Sequence, residues 1–198
     1  MSPSAAVEGP SGTLSERELG RAAALARAGD DRAFAALVRH FDPPLRALAF
    51  RLLGDRDLMD DVLQEAYVKA YRALPRFRGE AALGTWLYRV TYNACMDELR
   101  RMRRGAAAEL PLSAAERRPA PGADPGERVA ERDALEAALA ALAPEERAAV
   151  LLVDRDGLPY ARAAEVMGVP PGTVASRLSR ARAALRAALG AGPGEDAR

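Results

Sequence analysis

Apolar residues return at helical spacing along most of this 198-residue chain, and no stretch holds the alternation that a strand needs. Phe34, Leu37, Val38 and Phe41 stand at offsets 0, 3, 4 and 7 and share one helical face. Asp30 or Asp31 precedes them as an N-cap, since a carboxylate there accepts the first unpaired backbone amides. Hydrophobic residues make up 49% of the chain and aromatics only 5%; much of the apolar fraction is alanine, a strong helix former. The fold expected is all-α.

One segment interrupts the pattern. Residues 105–126, GAAAELPLSAAERRPAPGADPG, are rich in Ala, Pro and Gly, and their apolar positions have no period. They read as a flexible linker between two small helical domains. The division expected is a disordered leader at 1–15, a first domain at 16–104, the linker, a second domain at 127–190 and a disordered tail at 191–198. In the first domain, Pro43 and Pro44 are expected to interrupt one helix and begin the next, which Gly54 stops. Helices from about Asp57 to Leu74 and from about Thr85 to Arg104 follow, with LPRFRGEAALGT as a structured loop between them. The second domain begins with Asp124 as N-cap, Pro125 in the first turn and Glu127 behind it, and offers Val129, Leu135, Leu139 and Leu142 to a core.

Charge and composition exclude several functions. Lys+Arg is 29 and Asp+Glu 28, so total charge draws no polyanion and any nucleic-acid contact comes from local patches. Cys95 is the single cysteine, which rules out an internal disulfide framework and a cysteine metal cluster; it reads as a small buried residue. The single histidine, His40, reads as a surface or capping residue rather than a general base, and no phosphate-binding glycine loop is present. Asp60, Asp61 and Glu65 are acidic neighbours on one helix, and a solvated or protein-binding face explains them better than a metal does. No apolar run has signal-peptide or membrane-spanning length, so a cytoplasmic protein without membrane insertion, cofactor or active site is expected.

The C-terminal stretch GTVASRLSRARAALR carries the most specific pattern. Val174, Leu178, Ala181 and Leu185 share one face, while Thr173, Ser176, Arg177 and Arg180 share another, with no acidic residue from Gly172 to Leu189. PYARAAEVM, a break at Gly168, and this second helix make a helix-turn-helix, whose second helix enters the major groove. Arginine pairs bidentately with guanine, and small hydroxyls reach bases or phosphates, so these arginines are expected to find their counter-charge on DNA. A second basic run, ELRRMRR, ends the helix holding Trp86, Tyr88 and Tyr92, and basic groups beside aromatics suit single-stranded nucleic acid.

Together these segments resemble a known family. DLMDDVLQEAYVKAYRALPRFRGEAALGTWLYRVTYNACMDELRR is similar to region 2 of bacterial sigma-70 RNA polymerase sigma factors, and LAPEERAAVLLVDRDGLPYARAAEVMGVPPGTVASRLSRARAAL to region 4. With no domain between them, the chain resembles the extracytoplasmic-function (ECF) branch. The resemblance covers roughly residues 20–190 and implies transcription initiation. Asp60, Asp61, Gln64 and Glu65 match the segment that docks on the clamp helices of the largest subunit of core RNA polymerase; the flap of the second-largest subunit is the other implied contact. Phe77, Arg78, Gly79 and Glu80, in the loop that runs to Thr85, match the capture site for a flipped base of the −10 element. Trp86, Arg89, Asn93, Arg100, Arg101, Arg103 and Arg104 match the helix facing the melted strand. Thr173, Ser176, Arg177, Ser179, Arg180 and Arg182 match the −35 recognition helix. Implied partners are core polymerase and promoter DNA, double- and single-stranded, with an anti-sigma factor as a further partner that no particular residue marks.

Two departures stand out. Ala161, Arg162, Ala163 and Ala164 occupy a stretch that often reads Glu-Glu-Ile-Ala in the family; the arginine offers a phosphate contact and the alanine thins the packing. Leu83 and Gly84 stand where bulkier residues are common. The other reading open at this point is a stand-alone helix-turn-helix regulator, with the first domain as a sensor or dimerisation unit.

Overall fold

The computed structural model describes residues 14–77, 82–108 and 127–190, and among them the secondary structure is helical throughout. Helices α1 (Glu16–Arg27), α2 (Asp31–Leu53), α3 (Arg56–Ala73) and α4 (Leu83–Ala108) form the first block. Helices α5 (Glu127–Ala141), α6 (Pro144–Val150), α7 (Tyr160–Met167) and α8 (Pro171–Gly190) form the second, with α6 running into a π-helical turn at Leu151–Arg155. The leader up to Thr13, the segment 109–126, the tail 191–198 and the loop residues 78–81 lie outside the described residues, as does the N-cap expected at Asp124.

Local chemistry starts each early helix. Ser15 and Glu18 form a capping box on α1, Asp30 accepts from the amides of Arg32 and Ala33 on α2, and Asp55 accepts from Leu58 on α3. The Leu14 amide donates to His40 Nδ1 at 3.1 Å. Burial holds the His40 pKa below 6.5.

Pro43 and Pro44 do not divide α2, contrary to the sequence expectation; the helix runs through both. Each proline lacks an amide, which leaves the carbonyls of Arg39 and His40 without their usual helical donor. Burial on both sides outweighs that local penalty: Leu37 precedes the prolines, and Leu45, Leu48 and Leu52 follow them, all essentially without exposure. Each such leucine contributes about 1.5–3 kcal/mol.

The two blocks do not sit apart. One apolar cluster runs from Leu45, Leu48 and Leu52 through Tyr88, Tyr92 and Cys95 to Leu152, Val166 and Leu178. Helix α7 packs on α4, and α6 approaches α2. Polar bonds lock the seam. Tyr88 O–H donates to Asp156 Oδ2 at 3.3 Å, and Arg162 donates to Thr85 Oγ1 at 2.7 Å. Arg147 donates to the carbonyls of Arg51 and Leu52 at 3.3 and 3.2 Å and to those of Ala140 and Leu142. One guanidinium thus meets carbonyls at the C-terminal ends of α2 and α5, which those helices cannot satisfy themselves. Arg51 pairs with Glu136 at 3.3 Å.

Several core expectations change accordingly. Leu139 and Leu142 are buried, but Leu135 is 42% exposed; the side chain of Val129 lies outside those described. Arg162 reaches across to α4 rather than offering itself to a phosphate. Ala163 is fully buried, where a larger residue would need more room. Gly84 also has a steric reason: a Cβ there would lie 2.9 Å from Cε1 of Phe41, so a glycine lets α4 begin against that ring.

Candidate nucleic-acid interface

Helix α3 presents the acidic set. Met59, Val62, Leu63 and Ala66 face the core, which turns Asp60, Asp61, Gln64 and Glu65 to solvent. The four split between two grooves. Asp60 and Gln64 border an apolar groove of about 540 Å³ between α2 and α3, lined also by Phe34, Tyr67, Val68 and Tyr71. Arg46, a residue the sequence reading omitted, pairs with both Asp60 and Asp42 there, and Tyr67 O–H donates to Asp42 at 2.9 Å. Burial and the Asp42 carboxylate push the Tyr67 phenol well above its ordinary range, so it stays a donor. Asp61 and Glu65 border the second groove, opposite Arg101 and Arg104 of α4. No group of His, Cys, Asp and Glu among the described residues is arranged to hold a metal ion.

Helix α4 sorts its residues by angle. At 100° per residue, Trp86, Arg89, Asn93, Arg100 and Arg104 fall within roughly 60° of one another and form one stripe. All are exposed except Trp86, which is half-buried against Phe77 with ring centroids 5.1 Å apart. Arg103 lies at the edge of this stripe. Arg101 leaves it, held toward α3 by two 2.8 Å bonds to Glu98. Arg100 pairs with Asp97 at 2.7 Å, while Arg89, Arg103 and Arg104 hold no ion pair with a described residue. Arg78, Gly79 and Glu80 lie outside the described residues. The aromatics Tyr88 and Tyr92 are withdrawn from any stacking role: both are buried against the second block, and burial raises their phenol pKa values. Cys95 behind them is fully buried, its thiol pushed up to about 12 by desolvation, which removes thiolate reactivity at neutral pH.

Helices α7 and α8 form the helix-turn-helix that the spacing implies. Gly168 closes α7 in the left-handed region (φ 65°), and its amide donates to Ala164 O. Val174, Leu178 and Ala181 bury one seam of α8. Ser176, Ser179, Arg180 and Arg182 are exposed, and Thr173 and Arg177 are half-buried. Here the expectation of uncompensated arginines fails for Arg180 and Arg182. Arg180 Nε donates to Glu146 Oε1 at 2.7 Å, and Arg182 makes two bonds to Asp154 at 3.0 and 2.5 Å. The absence of acids within α8 was real, but the carboxylates arrive from α6 and its π-turn. Glu146, Asp154, Arg147, Asp156 and Thr85 were all missed by sequence reasoning, because each acts through a partner distant in the chain.

Two regions of known families match this chain: Sigma-70 region 2 over residues 37–105 and Sigma-70, region 4, over residues 132–185. The chain is 40% identical over 163 residues to the ECF RNA polymerase sigma factor SigM of Mycobacterium tuberculosis, covering 82% of this chain and 80% of that one. It is 36% identical over 166 residues to the ECF RNA polymerase sigma-E factor of Escherichia coli K12, covering 79% and 86%. Among solved structures it resembles CnrH in complex with the cytosolic domain of CnrY (TM-score 0.64, 28% identity, 88% of this chain and 99% of that chain). It also resembles the sigma factor RpoE in complex with the anti-sigma factor NepR from Bartonella quintana (TM-score 0.64, 26% identity, 80% and 98%).

Proposed function

This chain belongs to the ECF sigma factors of the sigma-70 family, and we propose that it joins core RNA polymerase in the cytoplasm, reads −10 and −35 promoter elements, and helps melt the duplex. The observation that supports this most is the presence, in one chain, of two separately built surfaces. The exposed stripe of α4 offers cations and a half-buried indole to an unpaired strand, and the helix-turn-helix offers α8 to a major groove. The acidic face of α3 then meets the clamp helices through Asp60, Asp61, Gln64 and Glu65. Each contact is binding chemistry, so catalysis stays with the polymerase. An anti-sigma partner belongs to the same reading, since both solved relatives were captured with a second protein, in one case named an anti-sigma factor.

The reading requires motion. Elements at −10 and −35 lie about 25 base pairs apart, roughly 85 Å at 3.4 Å per pair. With α7 packed on α4, the two reading surfaces cannot reach both elements together, so the blocks part on the polymerase. A stand-alone regulator would leave the acidic face of α3 without a partner. Transcription from a promoter library with purified core polymerase tests the reading. Selective initiation is expected, and Asp61→Arg should abolish it while leaving the fold intact. Promoter binding by the free protein that core polymerase does not enhance would sink it.

A further inference from the structure

The contacts of α8 bear on how its arginines read DNA. An exposed arginine carries large rotamer entropy, which it must surrender to make a bidentate base contact. Arg180 has already surrendered part of it. Its side chain is 63% exposed, yet its Nε is held at 2.7 Å by Glu146, whose own side chain is only 22% exposed. That bond engages Nε alone and leaves both terminal nitrogens, the pair that meets guanine O6 and N7, without a bond to the carboxylate. Arg182 is held differently. Asp154 takes its Nε and one terminal nitrogen together, and the Tyr160 hydroxyl lies against the same guanidinium, so Arg182 is held at more points than Arg180.

The positions of the two carboxylates follow from an irregularity in the backbone. Glu146 and Asp154 are eight residues apart, so an unbroken α-helix would set them roughly 80° out of line. The π-turn at Leu151–Arg155 absorbs one extra residue and brings them to within roughly 20° of each other, both against α8. Glu146 is steadied in turn by its place in the first turn of α6, where the helix dipole favours a carboxylate.

We propose that Glu146 is a positioning residue for promoter reading: it presets Arg180 for a base. This rests on the −35 reading of α8 given above. Two carboxylates beside a DNA-binding helix repel phosphates, so they lower affinity for any sequence. What Glu146 supplies is discrimination, because a preset arginine loses less freedom at the correct base than a free one and finds fewer alternatives at a wrong one.

The test is holoenzyme binding to a promoter and to its single-base −35 substitutions, at several salt concentrations. Glu146→Ala should flatten the base preference at the position that Arg180→Ala flattens, by roughly five-fold, while binding to random duplex stays the same or rises. Glu146→Gln, whose amide oxygen still accepts from Nε, should recover part of the preference. The Arg180→Ala background should make both Glu146 variants silent. A merely structural role would lower binding to all sequences alike, and that result from Glu146→Ala and Glu146→Gln overturns the proposal. If Arg180→Ala flattens the preference and both Glu146 variants leave it intact, the positioning role alone fails. If Arg180→Ala leaves it intact, the −35 reading of α8 fails and this proposal falls with it.

Discussion

Two long arginine-bearing helices, α4 and α8, look alike in the sequence and are held in opposite ways. Helix α8 buries a narrow seam of Val174, Leu178 and Ala181, and its cations Arg180 and Arg182 are tied to carboxylates of another element. Helix α4 is gripped from two directions, by α2 and α3 on one side and by α7 on the other, and keeps a single stripe for solvent. Its ion pairs are local, three residues apart, and Arg89, Arg103 and Arg104 hold none with a described residue. On the function proposed above, the difference separates two kinds of recognition. Sequence-selective contact gains from side chains fixed in advance, while contact with a flexible single strand gains from mobile cations that follow the phosphates.

The largest expected effect comes from breaking the double grip on α4. Tyr88→Ala removes a buried ring that both blocks share and should cost about 3–5 kcal/mol. Thermal unfolding followed by calorimetry should change from one transition to two. A single transition, merely shifted, would mean that the seam is not what couples the blocks.

Next come the cations themselves. Arg180→Ala should cost roughly 1–3 kcal/mol at one −35 base position and little elsewhere. Arg103→Ala with Arg104→Ala should instead weaken all sequences alike and reduce the salt slope by about 1.4 units, the value for two single-strand phosphates. Titrations of both variants against substituted promoters would erase the contrast between α4 and α8 if the two profiles matched.

Smaller still is the Arg162–Thr85 bond between α7 and α4. Arg162→Ala removes the donor to Thr85 and should cost about 1 kcal/mol, read by denaturant unfolding. Thr85→Val should lose part of that amount, and the double variant should lose less than the sum of the two, as expected of residues in contact.

The smallest effect concerns the docking of α1, which lies outside the grip on α4. Burial holds the His40 pKa below 6.5, and its Nδ1 accepts from Leu14. The folded state therefore favours the neutral ring. That contribution is present above the unfolded pKa and is lost as pH falls through the folded value. Tm should fall slightly between about pH 7.5 and about pH 5.5, and His40→Asn should remove that component of the slope. An unchanged slope would show that α1 docks independently of this bond.

Much of this molecule was legible in the residues, and the legible part has a common physical character. The helical class, the cap at Asp30, the turn at Gly168 and the apolar seam of α8 depend on neighbours within a few positions. Periodicity and capping report such neighbours directly. The exposed acidic face of α3 follows from the same rule, since four core residues on one side of a helix leave the other side to water. What periodicity cannot report is the partner across a seam. Leu135 kept the spacing of a core residue and is exposed, because what covers a position depends on packing rather than on pattern. Pro43 and Pro44 carried a local penalty that the burial around them outweighed. The absence of acids in α8 suggested naked arginines, until a π-turn carried Glu146 and Asp154 around to meet them. Arg162 found a hydroxyl 77 residues earlier in the chain rather than a phosphate. The sequence by itself determined which segments are helices and which faces are apolar, because those follow from short-range geometry. Only the tertiary structure decided which charges are free to meet DNA, because electrostatic partners are chosen by distance in space.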